Sequence, residues 1–243
     1  FVSSWLLVHR FKNKNMSKQK NIPVLRFSEF SVEWEEKKLE KRCSFFSGGT
    51  PKSTRKDYYN GNIPFIGSGN IFDEKVKKNI TKEALENSSA KMVNKGDILY
   101  ALYGANSGNV AISKLFGAIN QAILCIRTEE NKLFLYQILS YKKETIIKRY
   151  LQGGQGNLSA QIIKKLKINI PSLAEQKKIA SFLTAIDKRI QLLEEKREQL
   201  KQYKKGVMQQ IFSQAIRFKK DDGTDYEDWE ENTWGEIGNF YYG

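Results

Sequence analysis

Histidine and cysteine are scarce in this chain of 243 residues, and each shortage excludes a class of protein. With one histidine, His9, the chain cannot form a histidine-rich metal site, and a Ser/His/Asp triad would depend on that residue alone. Two cysteines, Cys43 and Cys125, are too few for a disulfide framework and are typical of a reducing compartment. No run of about 18 apolar residues occurs, so the sequence predicts no membrane span and a cytoplasmic protein.

Sequence motifs of catalysis and of nucleotide binding are absent as well. Gly67-Ser68-Gly69 lacks the third glycine of a dinucleotide-binding fingerprint, and no Walker A sequence occurs. The chain contains neither the Asn/Asp-Pro-Pro-aromatic motif of amino-methyltransferases nor a recognisable nuclease set of paired acids and lysine. The acidic stretch at 221–225 lacks the closing glutamate of a calcium loop, and we interpret it as a solvated turn. We therefore predict no cofactor, no metal and no enzymatic activity of its own.

Positive charge is the main feature that is present. The chain has 41 Lys and Arg against 27 Asp and Glu, a net charge of +14, which predicts a polyanionic partner. After Lys220 there are eight acidic residues and no basic one, so residues 1–220 carry +22 once those eight are set aside. Hydrophobic residues make up 40% of the chain, which is enough for a buried core. The basic surface therefore belongs to the folded body of the protein.

The first residues differ from the rest of the chain. The apolar stretch from Val2 to Val8 is too short for the hydrophobic part of a signal peptide, and no small-residue cleavage site follows it. Met16, which is followed by polar residues, is a more natural start. We expect residues 1–21 to be a disordered or non-native extension, which also removes His9 from the candidate functional residues.

Three clusters near the start of the chain recur near its end. Leu25-Arg26-Phe27 recurs as Ile216-Arg217-Phe218, Glu33-Trp34-Glu35-Glu36 as Asp228-Trp229-Glu230-Glu231, and Phe45-Phe46-Ser47-Gly48 as Phe240-Tyr241-Tyr242-Gly243. The spacing changes once between the first and second cluster, where Asp222-Gly223 indicates a turn in the second copy. We interpret the chain as one complete unit followed by the start of a second, that is, as a truncated two-unit protein.

The body of the chain has the pattern of an α+β fold. Short apolar runs at 63–66, 97–103, 110–112 and 122–126 are bounded by Gly, Asn and Ser, which predicts strands. Apolar residues at helical spacing predict one helix over 131–151.

Residues 172–213 have a different period. Ile179, Ile186, Leu193, Leu200 and Val207 recur every seven residues, and Leu183, Ile190, Arg197, Lys204 and Ile211 lie four positions after them. This heptad pattern predicts a coiled-coil helix from Ser172 to Phe212, ~60 Å long, with Ser172 as N-cap and Glu175 at the capping-box spacing. The alternative is a surface helix on its own domain, but such a helix is shorter and has a wider apolar stripe. The side chains predicted to pair with another helix are Ile179, Leu183, Ile186, Ile190, Leu193, Leu200, Val207 and Ile211.

Three loops carry side chains suited to DNA, because cations and hydroxyls bind phosphates and amides bind adenine bidentately. The first loop supplies Thr50, Lys52, Ser53, Arg55, Lys56, Tyr58 and Tyr59 beside flexible glycines; the second supplies Tyr103, Asn106, Ser107 and Asn109. The third supplies Gln152, Gln155, Asn157 and Ser159, and we regard it as the strongest candidate for base readout. The alternatives are an ordinary basic surface loop for the first and a plain turn for the second.

The sequence resembles the specificity (S) subunit of type I restriction-modification systems over about residues 22–243. The resemblance is carried by Trp-Glu-Glu-Lys-Lys-Leu at 34–39, Gly-Gly-Thr-Pro at 48–51, Tyr-Tyr-Asn-Gly-Asn-Ile-Pro at 58–64, Lys-Gly-Asp-Ile-Leu at 95–99, Ile-Pro-Ser-Leu-Ala-Glu-Gln-Lys-Lys-Ile-Ala at 170–180 and Lys-Lys-Gly-Val-Met-Gln-Gln-Ile-Phe at 204–212. Pro-x-x-x-Glu-Gln leading into a long helix is its most diagnostic element.

The resemblance implies a non-catalytic subunit that reads half of a bipartite site in double-stranded DNA. It also implies docking of methyltransferase (M) subunits and, through them, of restriction (R) subunits. We expect an extension at 1–21, a target recognition domain at 22–170, a spacer helix at 171–213 and the start of a second recognition domain at 214–243. Two such chains could form a homodimer through the long helix. The alternatives are an inactive fragment that folds without assembling and a coiled-coil scaffold protein.

Overall fold

The computed structural model describes residues 22–151, 157–239 and 241, and the chain divides into two compact units, Phe1–Leu183 and Thr184–Gly243. Its described strands are β1 Glu35–Lys38, β2 Cys43–Ser47, β3 Ile63–Ile66, β4 Asn79–Ile80, β5 Lys91–Val93, β6 Ile98–Ala101, β7 Val110–Ile112, β8 Gly117–Ile119, β9 Ile123–Thr128 and β10 Lys167–Ile170. Its described helices are α1 Lys82–Glu86, α2 Lys132–Tyr150, α3 Ala160–Lys164, α4 Leu173–Phe212 and α5 Trp234–Ile237.

The strands of the first unit form three sheets. One sheet has the order β2-β9-β6-β7 and is antiparallel throughout, and a second has the order β4-β3-β8-β5, with β3 and β8 parallel. A third, two-stranded sheet pairs β1 with β10 and brings distant parts of the first unit together. This mixture of sheets and helices confirms the predicted α+β class.

Successive side chains of the central strands β6 and β9 point to opposite faces of their sheet, and this explains how the layers pack. Leu99, Ala101 and Cys125 point into one cluster with Ile66 and Ile119 of the neighbouring sheet. Their alternate neighbours Ile98, Tyr100, Leu124 and Ile126 point to the other face, where they pack against Leu135 and Leu139 of α2. Because β6 and β9 are covered on both faces, they have continuous apolar runs instead of an alternating pattern.

The predicted elements agree with the described ones, with some differences at their ends. β3 and β7 have the predicted bounds, and the helix predicted over 131–151 is α2. The Asn131 side chain caps α2 by accepting a hydrogen bond from the Phe134 amide at 2.9 Å. The long helix predicted from Ser172 to Phe212 is α4, 40 residues in length. No helix within the described ranges combines the length and the hydrophobicity that crossing a membrane requires.

Candidate nucleic-acid interface

The strand directions bring several loops of the first unit to one end of its sheets. β2 and β6 both end beside the start of β9, since Ser47 pairs with Leu124 and Ala101 with Ile123. β3 and β8 are parallel and end side by side at Ile66 and Ile119. The loops that leave these ends carry Thr50, Asn70, Asn106, Asn109, Asn120 and Gln121. Together with Asn157, which lies after α2 and bridges to Tyr103, we call these side chains the polar edge.

Contacts between these loops hold the polar edge together. The Thr50 hydroxyl donates to Gln121 Oε1 at 2.6 Å, although the two residues are 71 positions apart. Asn109 Nδ2 donates to Asn106 Oδ1 at 3.3 Å within the β6–β7 turn. A Cβ placed on Gly69 would lie 3.7 Å from Asn106 Nδ2, so the loop after β3 lies against that turn. The polar edge is therefore one surface built from separate parts of the chain.

The Gly48-Gly49 pair has a different role from the flexible one that the sequence suggested. A Cβ on Gly48 would lie 1.7 Å from the Ile119 carbonyl oxygen, and one on Gly49 would lie 1.9 Å from Ser89 Oγ. Only a residue without a side chain fits at these two positions, because the end of β2 packs directly on neighbouring backbone and side chain. The glycines fix the start of the loop that carries Thr50.

Most of the first predicted DNA loop is exposed, but its two tyrosines are buried or half-buried. Tyr58 is buried with Phe65 and Ile80, which gives it a role in the core; its contact with DNA stays a prediction. Tyr59 is half-buried, and its hydroxyl donates to the Pro51 carbonyl at 2.7 Å, which fixes the loop. Hydrophobic burial and a satisfied hydroxyl explain both positions without a ligand. The exposed residues of this loop are Thr50, Lys52, Ser53, Arg55 and Lys56.

Arg55 is already paired within the protein. Its guanidinium binds Asp57 bidentately, at 2.9 Å from Nε to Oδ1 and 2.6 Å from Nη2 to Oδ2, and it also reaches Glu83 at 3.2 Å. The hydrogen bonds from Arg55 are the main cause that lowers the pKa of Asp57. A phosphate would have to compete with two carboxylates for this side chain, so Lys52 and Lys56 are the better phosphate candidates of the loop.

The β6–β7 turn presents Tyr103 and two amides. Gly104 and Gly108 adopt φ of 77° and 84°, which is the left-handed region that favours glycine. Ser107 is buried, and its hydroxyl donates to the Leu102 and Gly104 carbonyls at 3.0 and 2.8 Å, which gives it a role inside the turn; its contact with DNA stays a prediction. Tyr103 is exposed on this turn.

The third predicted loop is described only at its end, because Gln152 and Gln155 lie outside the described residues. Asn157 forms an antiparallel bridge with Tyr103 and is exposed at the polar edge. Ser159 caps α3, where its Oγ accepts from the Ile162 amide at 3.3 Å. The structure therefore gives Ser159 a role in the fold and places Asn157 with the amides of the second loop.

Helix α2 brings cations to the same end of the unit. A Cβ on Gly108 would lie 3.2 Å from Cγ of Lys143, so the helix passes close behind the β6–β7 turn. Lys148 and Arg149 lie in its last turn and are exposed. Sequence reasoning missed these cations, and it also missed Asn70, Asn120 and Gln121. Single asparagine and glutamine residues are common in loops after strands, so little in the sequence indicated that these three amides would lie together.

The opposite end of β9 meets the start of α4. Gln176 is buried, and its Oε1 accepts from the Asn131 amide at 3.0 Å, while its Nε2 donates to Glu130 Oε2 at 2.7 Å and to the Pro171 carbonyl at 3.0 Å. Glu175 is also buried and binds Arg26 bidentately, with Trp34 Nε1 donating to the same carboxylate at 3.1 Å. The Glu-Gln pair thus anchors the start of the helix to the strands and loops of the first unit.

The capping box predicted at this point is half formed. The Glu175 amide donates to Ser172 Oγ at 3.3 Å, as expected for an N-cap. The Glu175 carboxylate does not return to Ser172, because it is taken by Arg26 and Trp34. The prediction was correct for the serine and wrong for the glutamate, since a charged guanidinium offers stronger hydrogen bonds than a single amide.

The predicted seam of α4 differs in exposure along its length. Ile179 and Leu183 are half-buried beside Phe27 and Trp34 in the first unit. In the second unit, Ile190, Leu193 and Leu200 are exposed at 36%, 51% and 57%. Ile186, Val207 and Ile211 are half-buried. The middle of the seam is therefore an apolar surface that is open to solvent.

Metal-binding side chains are dispersed in the described part of the chain. No three His, Cys, Asp or Glu side chains there come together in a group that could hold a metal. Both cysteines are free thiols. Burial raises the pKa of the Cys125 thiol to about 12 and also raises that of Cys43, so neither is an activated nucleophile at neutral pH. The chemistry of the polar edge is that of a binding surface.

Comparison with known proteins agrees with this architecture. Residues 31–202, more than half of the chain, match the family described as the type I restriction modification DNA specificity domain. The chain belongs to this family. The resemblance inferred from the sequence motifs is thereby confirmed.

Curated relatives from one archaeon match the chain over about half of their own length or less. The MjaVIII specificity subunit of a type I restriction enzyme from Methanocaldococcus jannaschii is 28% identical over 225 residues, which cover 88% of the chain and 51% of the relative. The MjaIX specificity subunit of the same organism is 30% identical over 178 residues, which cover 69% of the chain and 40% of the relative. The chain spans about half the length of the curated relatives that it matches.

Solved structures share the fold. A structure described for the complex assembly of a type I R-M system superposes with a TM-score of 0.62 at 19% identity and covers 78% of the chain and 47% of its own. The HsdS subunit from Thermoanaerobacter tengcongensis superposes with a TM-score of 0.56 at 17% identity and covers 75% of the chain and 45% of its own. At this level of identity the likeness concerns the fold alone.

Proposed function

We propose that the chain is a DNA-reading part of a type I restriction-modification specificity subunit. In this proposal the polar edge contacts base edges in one half of a bipartite site, and partner subunits perform the chemistry. The observation that carries the proposal is the convergence of the loops after β2, β3, β6 and β8 at one end of the sheets. The names of the relatives, which are specificity subunits of restriction enzymes, support the same assignment.

The side chains of the polar edge suit base readout. Amides of Asn and Gln can both donate to and accept from one base edge, and they pair bidentately with adenine. The exposed Lys52, Lys56, Lys148 and Arg149 supply cations for the flanking phosphates. The net charge of +14 favours a polyanion, and such contacts make affinity fall as salt rises. We infer a surface in which amides read bases and cations position the duplex.

We also propose that α4 assembles the complex. The apolar side chains of Ile190, Leu193 and Leu200 are exposed along one heptad seam, which a second long helix would cover. For the chain alone, the second helix comes from another copy, which gives a homodimer with two reading edges. M subunits, and R subunits through them, would dock on this assembly. An inactive fragment and a coiled-coil scaffold are the alternatives to this proposal.

Binding to duplex DNA tests the reading function. We expect Asn106→Ala and Gln121→Ala to weaken binding to a duplex selected from a randomised library and to relax base preference at defined positions. Each lost bidentate contact should cost about 1–3 kcal/mol of discrimination. Asn94→Ala is the matched control, because Asn94 is an exposed asparagine at the opposite end of β6.

The outcomes separate the alternatives. Equal losses for Asn94→Ala and Asn106→Ala, or no binding to DNA at low salt with and without M subunits, would overturn the reading function. Copurification with M subunits tests docking, and a fragment that does not assemble would remain a monomer in the mixture. A scaffold protein would bind M subunits while its weak DNA affinity stays unchanged by every substitution at the polar edge.

A further inference from the structure

Two segments of the chain repeat each other in structure as well as in sequence. We call residues 25–34 the N-terminal segment and residues 216–229 the C-terminal segment. In the N-terminal segment, Arg26 Nη2 donates to the carbonyl of Val32, two residues before Trp34, at 2.6 Å. In the C-terminal segment, Arg217 Nη2 donates to the carbonyl of Glu227, which likewise lies two residues before its tryptophan. The arginine closes the loop in the same way in both segments.

The two arginines differ in what their remaining donors bind. Arg26 is directed at Glu175, a carboxylate at 1% exposure, at 2.7 and 2.6 Å. Arg217 Nη1 instead contacts Asp228 at 2.8 Å, and the side chain of Asp228 is 97% exposed. A pair with such an exposed carboxylate contributes little to stability. The C-terminal segment thus has the arginine of the N-terminal segment without its buried acidic partner.

The apolar residues of the two segments show the same difference. Phe27 is half-buried and packs edge-on against Phe182 of α4, with ring centroids 5.8 Å apart. Its counterpart Phe218 is 75% exposed. A groove of about 370 Å³ lies between Ile216, Arg217, Phe218 and Trp229, with Ile211 and Tyr226 on its other side. The corresponding groove at the N-terminal segment, about 310 Å³, is closed on one side by Glu175, Ile179, Phe182 and Leu183 of α4.

We infer that the C-terminal segment is a receptor for the first turns of α4 of a second copy of this chain. Glu175 of one copy would bind Arg217 of the other, and Phe182 of the first would pack on Phe218 of the second. Arg217 and Phe218 would thereby take the positions that Arg26 and Phe27 occupy within a single chain. The required chemistry is an acidic residue followed by apolar side chains four and seven positions later, which α4 supplies as Glu175, Ile179 and Phe182. This inference rests on the helix pairing proposed above.

The contact requires an exchange of segments. Both carboxylate oxygens of Glu175 are occupied, so Arg217 of a second copy can bind only when Arg26 leaves. The exchange replaces each lost contact with an equivalent one, and such exchanges of like elements are a low-cost route to dimers. Reciprocity follows, since each copy carries one α4 start and one C-terminal segment. The helices then pair antiparallel, which covers Leu193 and Leu200.

A charge-swap experiment tests the inference. Variant one carries Arg217→Glu, and variant two carries Arg26→Glu with Glu175→Arg, which restores an ion pair inside its own chain. Each variant alone would place like charges at both exchanged contacts, so we expect its dimer dissociation constant to rise at least ~100-fold. The mixture places opposite charges at both contacts, and we expect it to form heterodimers with wild-type affinity. Lys219→Glu, an equal charge change on an exposed neighbour, is the control and should dimerise like the wild type.

Sedimentation velocity gives the readout, with circular dichroism to verify that each variant is folded. Monomeric variants that form a heterodimer when mixed support the exchange. Variants that dimerise alone as well as the wild type overturn the exchange and leave the helix pairing intact. Two folded variants that stay monomeric in the mixture overturn the exchange as well. A wild type that is monomeric at high concentration overturns both the pairing and the exchange, while DNA binding of the same samples reports separately on the polar edge.

Discussion

Arg26 and Glu175 are 149 positions apart in the chain and form a bidentate ion pair at the start of α4, with distances of 2.7 and 2.6 Å. Trp34 donates to the same carboxylate, so both partners of Glu175 belong to the N-terminal segment. The pair ties the chain before β1 to the chain after β10, beside the β1–β10 sheet. This ion pair gives the glutamate of the Pro-x-x-x-Glu-Gln motif a structural role in the first turn of the long helix.

Removing the acidic partner of this pair should destabilise the first unit. We expect Glu175→Ala to lower the free energy of unfolding, because it removes the bidentate partner of Arg26 and the acceptor of Trp34 Nε1. Urea denaturation measures the change, and Glu194→Ala on the exposed part of α4 is the control. DNA binding at the polar edge should persist in the folded protein. An equal loss for both variants would show that helix propensity, and not the ion pair, is responsible.

Replacing tyrosine by phenylalanine should change the free energy of unfolding in opposite directions at two positions of the first unit. Tyr100 is fully buried, and its hydroxyl has no hydrogen-bond partner in the structure as described. Tyr100→Phe should therefore raise the free energy of unfolding by about 1 kcal/mol. Tyr59→Phe should lower it by about 1 kcal/mol, because the Tyr59 hydroxyl donates to the Pro51 carbonyl at 2.7 Å. Thermal unfolding of the two variants checks the signs, and a loss for both would contradict the first.

Asp97 predicts a pH dependence of stability. Burial opposes its charge, but the hydrogen bonds from Arg127 and from the Asn94 amide outweigh burial and lower its pKa. A carboxyl with a lowered folded-state pKa contributes stability above the unfolded value of ~3.9 and loses it as the pH falls through the folded value. Asp97→Asn should cost about 2 kcal/mol at pH 7 and less near pH 3. Urea unfolding at both values, with the exposed Asp221→Asn as control, measures the difference; a cost independent of pH would contradict it.

Cations at the end of α2 predict a change in salt dependence. If Lys148 and Arg149 each bind a phosphate, replacing both by alanine should make the slope of log affinity against log salt shallower by about 1.8, at ~0.9 per contact. Base preference should stay the same, because phosphate contacts carry no sequence information. Lys95→Ala, in the turn before β6 at the other end of the unit, is the control and should leave the slope unchanged. Fluorescence anisotropy at several salt concentrations measures it.

The exposed seam of α4 predicts the oligomeric state. Leu193→Glu with Leu200→Glu should convert a dimer into a monomer, since both side chains would be buried in a helix pair and charges there are strongly unfavourable. The free energy of unfolding of the monomer should change little, because both leucines are about half exposed. Gln191→Glu with Gln202→Glu adds the same charge to the outer face of the helix and serves as control. Sedimentation that shows equal dimerisation of both double variants would contradict the pairing.

The sequence predicted those parts of the protein whose physical cause is local. Alternation of apolar runs and turn residues located β3, β6, β7 and β9, and the heptad pattern located α4. Ser172 caps its helix as its residue type and position indicate. Short strands such as β4 and β8 were missed, since two or three residues carry too little pattern to separate a strand from a loop.

The candidate site shows where sequence reasoning fails. Thr50 and Gln121 are 71 positions apart, and only the pairing of β2 with β9 and of β3 with β8 brings their loops together. Tyr58 and Ser107 belong to loops that look exposed in sequence, yet one side chain is needed in the core and the other satisfies two carbonyls. Burial and hydrogen-bond satisfaction depend on neighbours distant in sequence, so residue type alone could not separate these from true surface residues.

Composition and period therefore determined the class of fold, the charge that favours a polyanion and the existence of a long helix, because these follow from summed or repeating local preferences. Tertiary structure alone decided which amides form the polar edge and what Glu175 and Gln176 bind. Those outcomes depend on strand register and on contacts between loops, whose free energies involve partners that no local stretch of the chain contains.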